Sequence, residues 1–406
     1  MKSAALVGLF CWCLYPLGVG ELSVNYTFAL IPLAMILGTG RLAKPPFAIA
    51  LAMLVFSLIF VGATIFYVDM YGEVLHRLGS FVVFMSLFAY AVVRVRPSMI
   101  AAFKTAVVVM SVAFSLYAIV VFLNAAAAGP VNFEAKDLVG SQRYGFVYVI
   151  AFWLILLAPR PSGKWWLFDY LLLAIVVSGL LLTFSRSSIV SLAGSLLIFA
   201  VARGARGLYR PNVRHWMRFA VAGAAVVGIA VLAARTFPLT VEYYAERLLT
   251  PLLDGRLVDA MAVSTSSEGS RVVRVTEGLD YVLRNPLTGT GFLGVWSFSP
   301  SGAGSAHNQL LDVFIRVGLV GFVVYLYLLL QVVRYLAKHD ASLFWGMVGV
   351  LIYGMFHETF KESQGAFILS FLVGMYAQHR REQYAYRSLK RGSTNGADPA
   401  RSPAPA

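Results

Sequence analysis

Charge is scarce in this sequence: 13% of its 406 residues are Asp, Glu, Lys or Arg, where a soluble domain carries roughly a quarter. Cys11 and Cys13 are the only cysteines; two positions apart on a helix they face different ways, which excludes a disulfide framework. No Gly-x-x-x-x-Gly-Lys loop is present to cradle a nucleotide phosphate. The longest polar segment has neither an Asp-x-Asp pair nor a His-x-x-x-His spacing, which argues against a bound Mg²⁺ or Mn²⁺ there. Acidic residues deep inside apolar runs are also missing, against a transporter coupled to protons or cations. Lys2 and the apolar run after it resemble a signal peptide, but no small-residue cleavage site is clear, so this run reads as a first span.

Apolar length is what the sequence has in abundance, with 59% hydrophobic residues and a mean hydropathy of +0.76. A helix crosses a bilayer core in about 20 apolar residues. Runs at about 4–20, 22–40, 46–67, 75–93, 100–123, 145–158, 165–184, 187–202, 217–235, 308–333, 342–357 and 364–378 approach that length. They predict an all-α polytopic integral membrane protein of about 12 transmembrane helices, with one long extracytoplasmic loop containing short helices. Residues 1–235 then hold helices 1–9, residues 236–306 the loop, residues 307–378 helices 10–12 and residues 379–406 a basic tail. The tail ends in GSTNGADPARSPAPA, which cannot bury a core, and the whole segment reads as a disordered cytoplasmic end.

Charge sets the orientation. With the amino terminus inside, Arg41 and Lys44, Arg94, Arg96 and Lys104, Arg160 and Lys164, the cluster from Arg203 to Arg218, Arg334 and Lys338, and the tail are all cytoplasmic. That places 21 of the 33 Lys and Arg but only 4 of the 19 Asp and Glu inside. Positive-inside orientation accounts for the basic balance, so no nucleic-acid partner is implied; membrane lipids are the expected surroundings and both termini are cytoplasmic.

The long connection falls outside and is too long to be a mere link. Within it, Arg271 to Arg284 (RVVRVTEGLDYVLR) reads as an amphipathic helix closed by Asn285-Pro286. Gly289, Gly291, Gly294, Gly302 and Gly304 then mark a flexible loop. Arg186, in Thr183-Phe184-Ser185-Arg186-Ser187-Ser188, interrupts two apolar runs on the outer side, against the charge bias. It is a snorkelling turn residue or, the favoured reading, a fork of donors for a phosphate or carboxylate. Arg271 and Arg274 lie one turn apart and suit a common anion; Arg271 is the stronger candidate, while for Arg274 an intrahelical pair with Glu277 is the favoured reading. Arg143, beside Tyr144, is an interfacial anchor or a third anion contact. His307-Asn308 opens the tenth span; His307 is a capping residue or a general base, since neutral imidazole accepts a proton from a hydroxyl near neutral pH.

These pieces in this order resemble the O-antigen ligase and polymerase family of bacterial envelope glycosyltransferases. The resemblance rests on Ser185-Arg186 between two spans, Gly269-Ser270-Arg271 in the outer loop, Asn285-Pro286-Leu287-Thr288-Gly289-Thr290-Gly291, His307-Asn308 and Gly318-Leu319-Val320-Gly321, over roughly residues 180 to 325. Arg316 stands where many relatives carry an acidic residue. The resemblance implies transfer of a glycan from undecaprenyl diphosphate to an acceptor hydroxyl at the periplasmic face of the inner membrane, in lipopolysaccharide biosynthesis, without metal or cofactor. Arg186 and Arg271, assisted by Arg143 and Arg274, would neutralise the diphosphate, His307 would be the base with Asn308 supporting it, and a single displacement would invert the anomeric centre.

Compact size, one long outer loop and the high apolar fraction favour a ligase with lipid A core as acceptor. A polymerase joining lipid-linked repeat units and a protein oligosaccharyltransferase are the alternatives within the family. A lipid-linked sugar flippase or other transporter is the alternative from another class.

Overall fold

The computed structural model describes residues 18–19, 22–23, 43–65, 71–127, 145–158, 166–183, 185–204, 267–298, 306–357, 359–360 and 363–395, with isolated helical positions between 223 and 235. A two-residue antiparallel ladder pairs β1 (Gly18–Val19) with β2 (Leu22–Ser23). All other regular structure among the described residues is helical: α1 (Phe47–Ile65), α2 (Tyr71–Arg94), α3 (Pro97–Ala127), α4 (Gly145–Leu156), α5 (Trp166–Leu182), α6 (Arg186–Gly204), α7 (Ser267–Arg284), a 3₁₀ turn (Gly294–Ser297), α8 (Gln309–His339), α9 (Ala341–Gly354) and α10 (Ser363–Asn395).

Nine of the twelve expected spans coincide with α1 to α6 and α8 to α10 within a few residues at most ends. By length and composition, Phe47–Ile65, Pro97–Asn124 and Gln309–His339 suffice to cross a membrane. The chain is accordingly a membrane protein. The runs at 4–20, 22–40 and 217–235 lie largely outside the described residues, and the ladder occupies the facing ends of the first two. Arg143, residues 236–266 and residues 299–305 also lie outside them.

Helix α4 forms the centre. Its 12 residues, GFVYVIAFWLIL, are all buried, as expected of a helix apolar on every side. It packs against α9, α5, α3 and α6, while α10 packs along α2 and α8 along α1. Helix α6 meets two neighbours through serines at helical spacing: the Ser191 hydroxyl donates to the Gly349 carbonyl of α9, and Ser195 accepts from Trp153 Nε1 of α4 at 3.0 Å. Small polar side chains that let backbones approach and hydrogen-bond across helices are what apolar surroundings favour, because lipid tails offer no hydrophobic gain for association.

Helix α8 is broken at Gly318, whose φ of 61° is left-handed. A kink frees backbone groups, and in an apolar environment each must be re-satisfied by protein. The irregular segment Asn285–Gly291 does so. Leu319 N donates to the Pro286 carbonyl at 2.8 Å, Thr290 N to that of Ile315 at 2.9 Å and Gly291 N to that of Arg316 at 2.9 Å. The contact needs absent side chains on both partners: a Cβ on Gly289 would collide with the Arg316 carbonyl, and one on Gly318 with the Leu287 carbonyl.

Two expectations change. The first part of the glycine-rich loop is not free, because the broken helix supplies it with a hydrogen-bonding edge. The chain after residue 378 continues as helix to Asn395. Local side-chain bonds support that extension, including Gln378 Nε2 to Glu382 Oε1 at 2.9 Å and Arg380 Nη2 to the Tyr384 hydroxyl at 3.0 Å. An exposed helix with i,i+4 pairs does not require a core.

Candidate functional site

The outer ends predicted for α5, α6, α8 and α9 gather at one end of the bundle, with α7 lying against them. Helix α7 is seated by Gly278, where an added Cβ would touch Leu311 and Ile315. Below it, Val282, Val295, Ala306, Leu311 and Ile315 form a small apolar cluster of their own. The amphipathic periodicity of α7 places this apolar stripe on α8 and leaves polar residues above.

That seating carries Arg274 to the start of α8, where its Nη1 lies 2.6 Å from His307 Nε2. A guanidinium can only donate, so Nε2 is the acceptor and the imidazole proton resides on Nδ1. His307 has φ 51°, a left-handed conformation in which histidine is enriched among non-glycine residues. It sits immediately before the cap: Asn308 is extended at φ −146°, and its side chain accepts from Leu311 N at 3.0 Å. Asn308 Nδ2 also donates to the Met355 carbonyl at 3.3 Å, tying α8 to the end of α9. Gln309 extends the tie by accepting from Phe360 N at 2.7 Å.

From α9 the connection runs on to α6. His357 Nε2 lies 2.8 Å from the Ser187 hydroxyl, and the Ser187 and Ser185 hydroxyls are 2.9 Å apart. Ser185 caps α6, its hydroxyl accepting from Ser188 N at 3.4 Å. Arg186 is therefore the first residue of a helix whose start is linked, hydroxyl by hydroxyl, to the segment that also holds Asn308. Arg271 lies one turn before Arg274 on α7.

Buried Arg316 braces the loop segment. Its Nε donates to Asp312 Oδ2 at 2.8 Å, and its Nη1 donates to the carbonyls of Phe292 at 2.8 Å and Gly291 at 3.4 Å. Asp312, one turn earlier on α8, supplies the opposite charge to Arg316. Phe292 N in turn donates to Thr64 Oγ1 at 3.0 Å, and the Phe292 ring packs with Phe60 and Phe81, so the segment is held to α1 as well as α8. No cluster of three or more metal-ligating side chains occurs among the described residues.

Residues 170–326 match the family model described as O-antigen ligase. This stretch belongs to the O-antigen ligase family. The matched O-antigen ligase segment runs from within α5 past the break in α8, and so contains Arg186, Arg271, Arg274, His307, Asn308 and the braced loop segment. The family implies glycosyl transfer of the O-antigen ligase or polymerase type, on lipid-linked glycans. None of the curated proteins compared matches the chain.

His357 lies beyond the matched segment and escaped the sequence reading. Its only signal was position, four residues after Tyr353 at the end of an apolar run, and nothing in that spacing reveals a bond to a serine 170 residues away.

Proposed function

We propose that this chain is an O-antigen ligase-like glycosyltransferase. It moves a polysaccharide from undecaprenyl diphosphate to a sugar hydroxyl of lipid A core, at the periplasmic face of the inner membrane, with inversion and without metal. The observation that carries the reading is the contact between Arg274 and His307 at the helix start within the matched segment. A neutral imidazole beside a guanidinium, on a polar rim above apolar helices, suits a reaction that removes a hydroxyl proton while a diphosphate departs.

His307 Nε2 takes the acceptor hydroxyl's proton, the freed oxygen forms its bond to the anomeric carbon, and the bond from that carbon to the diphosphate oxygen breaks. In the structure Nε2 already accepts from Arg274, so the acceptor hydroxyl must replace the guanidinium there. Released from His307, Arg274 turns to the diphosphate beside Arg271, with Arg186 and Arg143 as further contacts. Fixed cations where negative charge grows lower the barrier most when water is scarce. The sugar–diphosphate bond supplies the driving force, so no nucleotide takes part.

Orientation is supported from the other end of the bundle, where Lys104 pairs with Asp340 at 2.5 Å and Arg381 caps carbonyls of α2 and its end. This basic end suits the cytoplasm.

The test is transfer by purified, reconstituted protein from a lipid-linked glycan, offered in parallel to lipid A core, a second lipid-linked repeat unit and an acceptor peptide. Product on lipid A core supports the ligase. Product only on the second repeat unit makes the protein a polymerase, product only on peptide an oligosaccharyltransferase, and movement of the donor between leaflets without product a flippase.

A further inference from the structure

We infer that His357 is a positioning residue for the donor-diphosphate site, acting through Ser187 and Ser185 on the start of α6. The inference rests on the reading of Arg186 as a diphosphate contact and adds a residue that lies outside the segment shared with the O-antigen ligase family.

Three observations support it. The imidazole is fixed from two sides, stacked on Tyr353 with ring centroids 4.7 Å apart and planes 17° apart, and bonded through Nε2 to Ser187. The two serines that continue the chain flank Arg186 directly, and both are buried. Ser185 uses the same hydroxyl to cap α6, so the relay ends on the backbone that sets where Arg186 stands. Deeper in the bundle α6 is held at Ser191 and Ser195, and in its first turn buried Ser188 packs closely on Gly145 of α4. The first turn of α6, which carries the arginine, is also the part that the relay anchors.

A histidine placed merely to fill space would need neither the bond nor the serine chain. The relay ends on the backbone that carries Arg186, so its loss is expected to fall on donor recognition.

The test uses the full chain in nanodiscs, with undecaprenyl diphosphate itself as the binding probe and transfer to the acceptor as the second readout. His357→Ala and Ser187→Ala are each expected to weaken probe binding and raise the donor KM about ten-fold, the scale of one buried hydrogen bond left half-made, with the acceptor KM unchanged. The two together are expected to be no worse than either alone, because they cut one chain. His357→Gln, which can still bond Ser187, is expected to restore binding to within about three-fold, half a decade being under 1 kcal/mol. If His357→Ala fails to fold, Ser187→Ala, which removes one oxygen, carries the test. Equal probe binding by wild type and Ser187→Ala, or an additive double variant, overturns the inference. Wild type that does not bind undecaprenyl diphosphate overturns the reading of the site on which it rests.

Discussion

Arg274 Nη1 and His307 Nε2 are 2.6 Å apart, joining the loop helix α7 to the first residues before α8. Neither residue's own helix supplies the partner. The bond exists because Gly278 lets α7 lie close on Leu311 and Ile315, which sets the register between the two helices.

Arg274→Met removes the donor that fixes the His307 proton on Nδ1, the tautomer the proposed base requires. Loss of one charged hydrogen bond corresponds to about 1.5–3 kcal/mol, so kcat for transfer is expected to fall by about one to two orders of magnitude. Arg274→Lys, which restores charge but not the planar fork, is expected to recover only part of it. Steady-state kinetics of the two variants decide the point; unchanged kcat in Arg274→Met would remove Arg274 from the site.

Arg316→Met leaves Asp312 charged and buried without its partner. Breaking a buried pair from one side costs about 3–5 kcal/mol, so the thermal unfolding midpoint is expected to drop by several degrees. Adding Asp312→Leu is expected to recover most of that loss. Arg284→Gln breaks the pair with Asp280 at 2.8 Å, but both groups are more than half exposed, and it is expected to change stability by less than about 0.5 kcal/mol. The contrast between the two arginines checks that burial, not pairing as such, sets the cost.

Gly318→Ala puts a side chain at a left-handed residue and into the Leu287 carbonyl. At φ 61° and ψ −172° the backbone is in a region essentially reserved for glycine, which costs another residue roughly 1–3 kcal/mol, and the collision adds to it. The expected outcome is a protein less stable than wild type, in which the Asn285–Gly291 segment becomes accessible to protease. Limited proteolysis with mass mapping of the cut sites measures this directly.

His379, at the basic end of the bundle, has its pKa pushed below the usual histidine value by burial and then by neighbouring His339. The folded protein therefore binds protons at this site less readily than the unfolded chain. The stability this contributes is present above about pH 6.5, the unfolded value, and is lost as pH falls through it and on through the lower folded pKa. The difference in unfolding midpoint between wild type and His379→Gln is expected to shrink or change sign on going from pH 7.5 to pH 5.5.

The sequence made the helices legible because apolar runs near the bilayer length are hard to produce otherwise; α1, α3 and α8 needed nothing more. Composition alone misread the chain after residue 378: it cannot bury a core there, yet Gln378, Glu382, Arg380 and Tyr384 hold a helix without one. At the site, motif order located His307, Arg186 and the Asn285–Gly291 segment one by one. It could not show that the segment repairs the break at Gly318, that Asp312 neutralises Arg316, or that Arg274 reaches His307 although Glu277 stands nearer along the chain. Each of these depends on the register between two helices, which periodicity within one helix does not encode. His357 lay deeper still, since its partner Ser187 lies 170 residues away on a different helix.

The most direct test of the account is the rate of glycan transfer from a lipid-diphosphate donor to lipid A core by reconstituted wild type and His307→Ala, with probe binding measured alongside. The account predicts that the variant binds undecaprenyl diphosphate as wild type does while its transfer rate falls by about 10² to 10⁴, the contribution of a general base. Transfer by the variant at the wild-type rate would contradict it, and would remove His307 from the chemistry.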